Sequence, residues 1–248
     1  MDLGIRGQRA AVAAGSSGLG FAAASALIDA GCSVAICGRD EAKLGRAAAQ
    51  LGSRAVPLQV DVGSAAGGQR FVEEATAALG AVDILVTNAG GPPPGTFAET
   101  PLEAYQPALE LSLLSVVGMC KAAVPGMRAR GHGRVIAITS VSVRQPIDFL
   151  MLSNTARAGA TGFLKTLALE VAAEGITVNS LQPGYHATDR LAGLPPETLE
   201  SVLTDIPAGK LGDVPAFGQA VAFLASMHAG YITGAAIPID GGSFRGLQ

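Results

Sequence analysis

Ala14-Gly15-Ser16-Ser17-Gly18-Leu19-Gly20 is a glycine-rich turn that follows an apolar run and opens a helix at Phe21. A helix N-terminus offers unpaired N–H groups and the positive end of the helix dipole, and glycines let a phosphate approach them. Gly15, Gly18 and Gly20, with Ser16, Ser17 and Leu19 between them, read as a phosphate cradle. A tight turn that needs positive φ is the alternative. The next apolar run ends in Cys37-Gly38-Arg39-Asp40. An acid at that place would hold a ribose diol. Arg39 instead offers a planar cation suited to a 2′-phosphate, and Gly38 leaves space for it. Asp40 serves more naturally as the cap of a helix starting at Glu41. The pattern points to a dinucleotide, NADP(H) ahead of NAD(H); the alternative for Arg39 is a solvated surface charge.

Few side chains titrate near neutrality. The chain holds three His (132, 186, 228), three Tyr (105, 185, 231) and three Cys (32, 37, 120). An odd number of cysteines without a Cys-x-x-Cys pair argues against a disulfide framework and a zinc site, so no metal is expected, and it fits a reducing cytoplasm. Cys32 and Cys37 flank an apolar run and are expected to be inert. A net charge of -3 gives no electrostatic case for nucleic acid or an anionic membrane, and the lack of Trp argues against a base-stacking surface. With 49% hydrophobic and 15% charged residues the chain is not disordered. Ala10 to Ile28 is uncharged and long enough to suggest a membrane span, but Gly15 to Gly20 split it into a strand and a helix.

Elements must position these groups, and the sequence alternates strand and helix throughout. Apolar runs at 9–14, 33–37, 55–60, 82–87, 134–139, 176–181 and 235–239 read as strands. Helices are expected at 18–30, 41–51, 66–79, 102–127 and 153–173, with two helical stretches before the last strand. Strands without polar alternation are buried on both faces, which implies a parallel sheet covered by helices. The expectation is an α/β fold: a doubly wound, seven-stranded parallel sheet with helices on both faces, a single domain over 1–248. Gly31, Gly52, Gly80 and Gly175 stand where helices end.

These residues, with others in order along the chain, resemble the short-chain dehydrogenase/reductase family, and the wording is closest to its 3-oxoacyl-acyl-carrier-protein reductase-like branch. The resemblance implies a Rossmann-type fold. Asp61-Val62 looks like the family's adenine-contacting pair, and Asn88-Ala89-Gly90 like the motif that supports the sheet and lines the cofactor site. Pro183-Gly184 with Thr188 looks like the nicotinamide-side loop, where Thr188 would bond the carboxamide; Ile232 to Gly242 resembles the last strand. The glycine turn departs from the pattern: the family has Gly where this chain has Ala14.

The family reduces carbonyls with Asn, Ser, Tyr and Lys. Ser140, after the fifth strand, matches the Ser. Thirteen residues on, the Tyr position is Ser153, and the Lys four further on is Arg157. A second Lys of the family helix, eight residues later, matches Lys165. The Asn position holds Ser112. A serine hydroxyl has no pKa near neutrality, whereas Tyr titrates at about 10. Arg157 can grip a ribose hydroxyl but cannot relay a proton, since its pKa exceeds about 12. Tyr185 and His186 follow Pro183-Gly184 and are the best substitute acids: His titrates near neutrality, and a cation would tune Tyr down. On the bland reading Tyr185 packs in its loop and His186 faces water. His132 and Arg134 are expected in a solvated turn.

The expected function is an NADP-dependent oxidoreductase acting on a carbonyl or alcohol, 3-oxoacyl or another apolar ketone, with a non-standard site. Alternatives are a non-redox enzyme on the same fold (dehydratase, cyclase or isomerase) and a catalytically silent NADP(H)-binding protein. The expected partners are a small-molecule substrate and further copies of the chain, as a homotetramer or homodimer joined through the helices near 102–127 and 153–173 and the last strand. Leu191, Leu194, Leu199, Leu203 and Ile206 between Thr188 and Gly212 hint at an apolar substrate or a lid.

Overall fold

Short runs of small and β-branched residues pair side by side in the computed structural model of the chain, which describes residues 1–192 and 195–247. The strands are β1 (Arg9–Val12), β2 (Ser33–Cys37), β3 (Ala55–Leu58), β4 (Ile84–Thr87), β5 (Gly133–Ile138), β6 (Ile176–Pro183) and β7 (Ala236–Ile239). They form one sheet in the order β3-β2-β1-β4-β5-β6-β7, and every pair is parallel. The order reverses between β1 and β4, and a ligand crevice opens at such a switch point beyond the strands' C-terminal ends.

Helices α1 (Gly18–Asp29), α2 (Glu41–Leu51) and α3 (Ala65–Leu79) link the first four strands. A continuous helical run, Leu102–Arg130, follows β4 and contains α4 (Tyr105–Leu109), a π turn (Glu110–Leu114) and α5 (Ser115–Arg130). This run is long and apolar enough to cross a membrane, yet half of its apolar stretch is buried inside the fold. Next come α6 (Met151–Val171), α7 (Asp189–Ala192), α8 (Pro196–Asp205) and α9 (Val214–Ala225).

The sheet divides the core in two. On one face Leu27, Phe217 and Val221 of α1 and α9 cover Val12, Ile36, Ile84 and Ile136. On the other, Phe71, Met119 and Leu164 of α3, α5 and α6 cover Ala11, Leu85 and Val135. Burying such side chains contributes about 1.5–3 kcal/mol each, which outweighs the weak intrinsic stability of such short strands. Gly31, Gly52, Gly80 and Gly175 all take positive φ, as helix-ending glycines do.

Three details differ from the sequence reading. Burial on both faces holds for the central strands, but β3 and β7 are only partly covered; as sheet edges with one ladder neighbour each, they tolerate the missing N–H of Pro57 and Pro238. The π turn interrupts the long helix at Ser112. Arg134 is buried rather than solvated, with 7% of its surface exposed, and donates from Nη1 to the Gly133 and Gly175 carbonyls. His132 is half-buried, and burial first, then the neighbouring Arg134, lowers its pKa.

Candidate active site

The crevice between β1 and β4 begins at the glycine turn. Ala13 N–H donates to the Val86 carbonyl and Gly15 N–H to the Cys37 carbonyl, both at 3.0 Å, tying the turn to β4 and β2. Ala14 lies between them with φ +48°, the left-handed region where a Cβ is unfavourable. A Cβ on Gly20 would stand 2.3 Å from the Ala14 carbonyl oxygen and 2.9 Å from Asn88 Nδ2, so the close passage needs glycine and seats Asn88 against the turn. A Cβ on Gly18 would lie 3.6 Å from Thr188 Cγ2, so the loop after β6 reaches the same place. Ser17, the residue before α1, makes no side-chain cap bond, which leaves the first-turn N–H groups for an anion.

At the end of β2, Ser16 Oγ lies 3.1 Å from where a Gly38 Cβ would be, and Arg39 is exposed beside it. Asp40 accepts from Lys43 N–H at 2.8 Å as the cap of α2. A hydroxyl and an exposed guanidinium thus stand at the end of β2 while the carboxylate serves the helix, a donor set that fits a 2′-phosphate. Asp61 is exposed, with Oδ1 accepting from Gly63 N–H at 2.9 Å, and Val62 is buried beside it. Ala89 is half-buried and Gly90 exposed after β4.

The second half of the crevice is built around α6, which packs against the π turn carrying Ser112 and the short turn carrying Ser140. Ser140 is half-buried, and its Oγ accepts from Ser142 N–H at 3.1 Å. Ser153 is buried, with 8% of its surface exposed. Arg157 is fixed by a gap in the sheet. Thr139 N–H donates to the Leu181 carbonyl at 2.9 Å, so a regular parallel ladder would return an N–H from residue 183 to the Thr139 carbonyl. Residue 183 is proline and has no N–H. Arg157 Nη1 takes its place, donating to the Thr139 carbonyl at 3.1 Å and the Ile138 carbonyl at 3.2 Å. The guanidinium therefore lies across the ends of β5 and β6, next to Pro183-Gly184.

Tyr185 and His186 behave differently from a tunable acid pair. Burial, reinforced by the charge of Asp205, raises the Tyr185 pKa, so its charged neighbour is an acid rather than a cation. His186 does not face water: only 4% of it is exposed, its ring meets Phe217 edge-on at 5.2 Å, and Nδ1 lies 3.2 Å from the Gly184 carbonyl. Burial lowers its pKa against the opposing effects of the Gly184 bond and Asp213. A Cβ on Gly212 would come 2.6 Å from His186 Cδ2, so the ring is packed as an anchor for the loop after β6. Where that loop runs into α7, a cleft of about 220 Å³ is lined by Ala187, Thr188, Asp189, Leu191, Leu199 and Leu211. Ile206 is buried, while Leu194 lies outside the described residues.

Sequence reasoning picked out Ser112 at this end of the sheet but missed the polar side chains that accompany it. Thr87 Oγ1, Ser112 Oγ, Ser142 Oγ, Asn154 Oδ1 and both amide atoms of Gln182 are buried without a hydrogen-bond partner among the described residues. Each such atom costs about 1–3 kcal/mol, and such groups are retained where a ligand or water completes them. The polar residues within β6, Thr177, Asn179, Ser180 and Gln182, were the available signal.

Residues 13–243 match the family profile described as enoyl-(acyl carrier protein) reductase. The chain is 35% identical over 242 residues to 3-oxoacyl-[acyl-carrier-protein] reductase FabG of Escherichia coli (strain K12), covering 98% of this chain and 99% of the relative. It is 37% identical over 239 residues to acetoacetyl-CoA reductase of Rhizobium meliloti (strain 1021), covering 95% and 98%. The crystal structure of L-sorbose reductase from Gluconobacter frateurii, complexed with NADPH and L-sorbose, superposes with a TM-score of 0.94 at 32% identity over 100% of both chains. The chain belongs to the short-chain dehydrogenase/reductase family. Within that family it is of the 3-oxoacyl-acyl-carrier-protein reductase-like kind.

Proposed function

We propose that the protein is an NADP(H)-dependent oxidoreductase that interconverts a carbonyl and an alcohol on a small apolar substrate, through a site lacking the usual Tyr and Lys. The observation that carries this reading is the meeting of Gly18, Gly20, Asn88 and Thr188 at the start of α1, with Ser16 and Arg39 at the crevice edge. The cofactor would be held by the first-turn N–H groups of α1, by Ser16 and Arg39 at its 2′-phosphate, by Asp61 and Val62 at adenine, and by Asn88, Ala89, Gly90, Pro183, Gly184 and Thr188 toward the nicotinamide. When bound it supplies the hydride.

The chain's own residues do the rest. Ser140 and Ser153 polarise the carbonyl oxygen by hydrogen bonding, and Arg157 supplies fixed positive charge at the ends of β5 and β6. Ser153 holds no proton that leaves near neutrality, so the proton reaches the product oxygen from solvent across its hydroxyl. Tyr185 and His186 position the loop. Ser112 closes the site from the π turn. Leu191 and Leu199 make the adjoining cleft apolar, which favours a 3-oxoacyl or other apolar ketone. The enzyme acts in the cytoplasm as a homotetramer or homodimer, with α5, α6 and the β7 edge as contacts; Leu169, with 73% of its surface exposed, supports α6 in that role.

The test is NADPH oxidation by the purified protein across a panel of 3-oxoacyl thioesters and apolar ketones, with the alcohol product quantified. Turnover matched one to one by product supports the reading. Bound NADPH with no oxidation across the panel overturns it. Substrate conversion with the cofactor unchanged would favour the non-redox alternative, to which the loss of a titratable acid at Ser153 also points.

A further inference from the structure

Gln182 is the last β6 residue before Pro183, and none of its surface is exposed. Neither Oε1 nor Nε2 has a hydrogen-bond partner among the described residues. Its place follows from the ladder. Thr139 N–H bonds the Leu181 carbonyl, which makes Gln182 the register partner of Thr139 on the neighbouring strand. Strands lie about 4.8 Å apart, and paired residues of a parallel ladder project to the same face. That face is the one covered by α6, because Ser180 and Val178, two and four residues earlier, line a cleft with Thr161, Leu164 and Lys165 of α6, and Val178 shares a core cluster with Leu164, Ala168 and Val171. Arg157 comes from the same helix and ends on the Thr139 carbonyl. The amide and a five-donor guanidinium therefore share one face at the Thr139–Gln182 rung.

We propose that Gln182 is the positioning residue for Arg157: its Oε1 accepts from the guanidinium when a bound dinucleotide draws that group off the β5 carbonyls. The inference rests on the NADP(H) reading above. In the unliganded state Arg157 bonds the Ile138 and Thr139 carbonyls, and no described protein group pairs with the amide. Binding lets the guanidinium turn toward the ribose; Oε1 then replaces a carbonyl as its acceptor and limits where it can go. The arrangement exchanges stability of the empty protein for orientation of a cation in the occupied one.

The experiment uses the full chain, NADPH as the probe, and the variants Gln182→Met, Gln182→Glu, Arg157→Met and the double variant Gln182→Met/Arg157→Met. The chain has no Trp, so NADPH fluorescence is read without that background. In Gln182→Met the melting temperature without ligand rises, because two unpaired buried atoms are gone, while NADPH affinity falls about tenfold or more, as expected for a lost hydrogen bond to a charged group. Gln182→Glu keeps an acceptor and retains most of the affinity. In the Arg157→Met background the Gln182→Met change has no further effect on affinity. If wild type binds NADPH and Gln182→Met binds it equally well, the proposal fails and the cofactor reading stands. A lower melting temperature with unchanged affinity also overturns it, since the amide is then a structural group satisfied by water. Additive losses in the double variant overturn action through Arg157. If wild type binds no NADPH, the cofactor reading fails and the proposal with it. Gln182→Leu gives the same readouts should the Met variant not fold.

Discussion

Ala14 stands where the family has glycine, and its φ of +48° makes Ala14→Gly a stabilising change. An L-residue in the left-handed region carries a cost of roughly 1–2 kcal/mol from its Cβ. Glycine removes that cost but makes the unfolded chain more flexible, which takes back about 0.4–1 kcal/mol. Ala14 is only half-buried, so little packing is lost with its methyl. The net gain is about 0.5–1 kcal/mol, or a rise of roughly 1–4 °C in melting temperature for a chain of this size. Thermal unfolding of the unliganded protein at fixed pH measures it. The matched control is Gly20→Ala, whose Cβ would meet the Ala14 carbonyl oxygen at 2.3 Å, a backbone atom that cannot swing aside. That change should cost about 1–3 kcal/mol or more and weaken NADPH binding. An unchanged or lowered melting temperature in Ala14→Gly would refute the reasoning, because the turn would then not hold Ala14 in the left-handed region.

Other outcomes are as specific. Arg39→Ala should lower NADPH affinity by about 10- to 100-fold and leave NADH binding nearly unchanged, read from paired titrations. Ser153→Tyr with Arg157→Lys should raise ketone reduction by about tenfold or more, since a positioned general acid is worth about 10²–10⁴; steady-state kcat on one ketone checks it. Burial pushes Cys32 up to about 11 and Cys37 and Cys120 up to about 12, so a thiol reagent at pH 8 should label none of them until the protein unfolds. His132 and His186 are held below the usual imidazole range by burial, so the unfolded chain takes up protons first. Their contribution to stability is present above a pH of about 6.5 and is lost as the pH falls through their folded values; replacing both with Gln should flatten the melting-temperature profile on that limb.

The strands and helices were legible because the pattern that encodes them is local. Runs such as Ser33–Cys37 and Gly133–Ile138 have no polar alternation, and a doubly covered parallel sheet is what such runs form. The placement of the glycine turn and of Arg39 was legible for the same reason: both lie at the C-terminal ends of strands, which the local pattern fixes. The capping role of Asp40 followed from its spacing to the helix start. Tertiary contact decided what was missed. His186 is buried because Phe217, from α9, closes on its ring, and nothing near residue 186 announces that. Arg134 is buried by the carbonyls of Gly133 and the distant Gly175. The anchoring of Arg157 depends on a proline in a strand that the sequence reading ended at residue 181; carrying β6 to Pro183 exposes both the missing ladder bond and the amide beside it.

The most direct measurement is a side-by-side titration of the purified wild-type protein with NADPH and NADH. Saturable NADPH binding at least about tenfold tighter than NADH is the predicted result, from the pairing of Arg39 and Ser16 with a 2′-phosphate while Asp40 caps α2. Equal affinity for the two, or binding of neither, would contradict it.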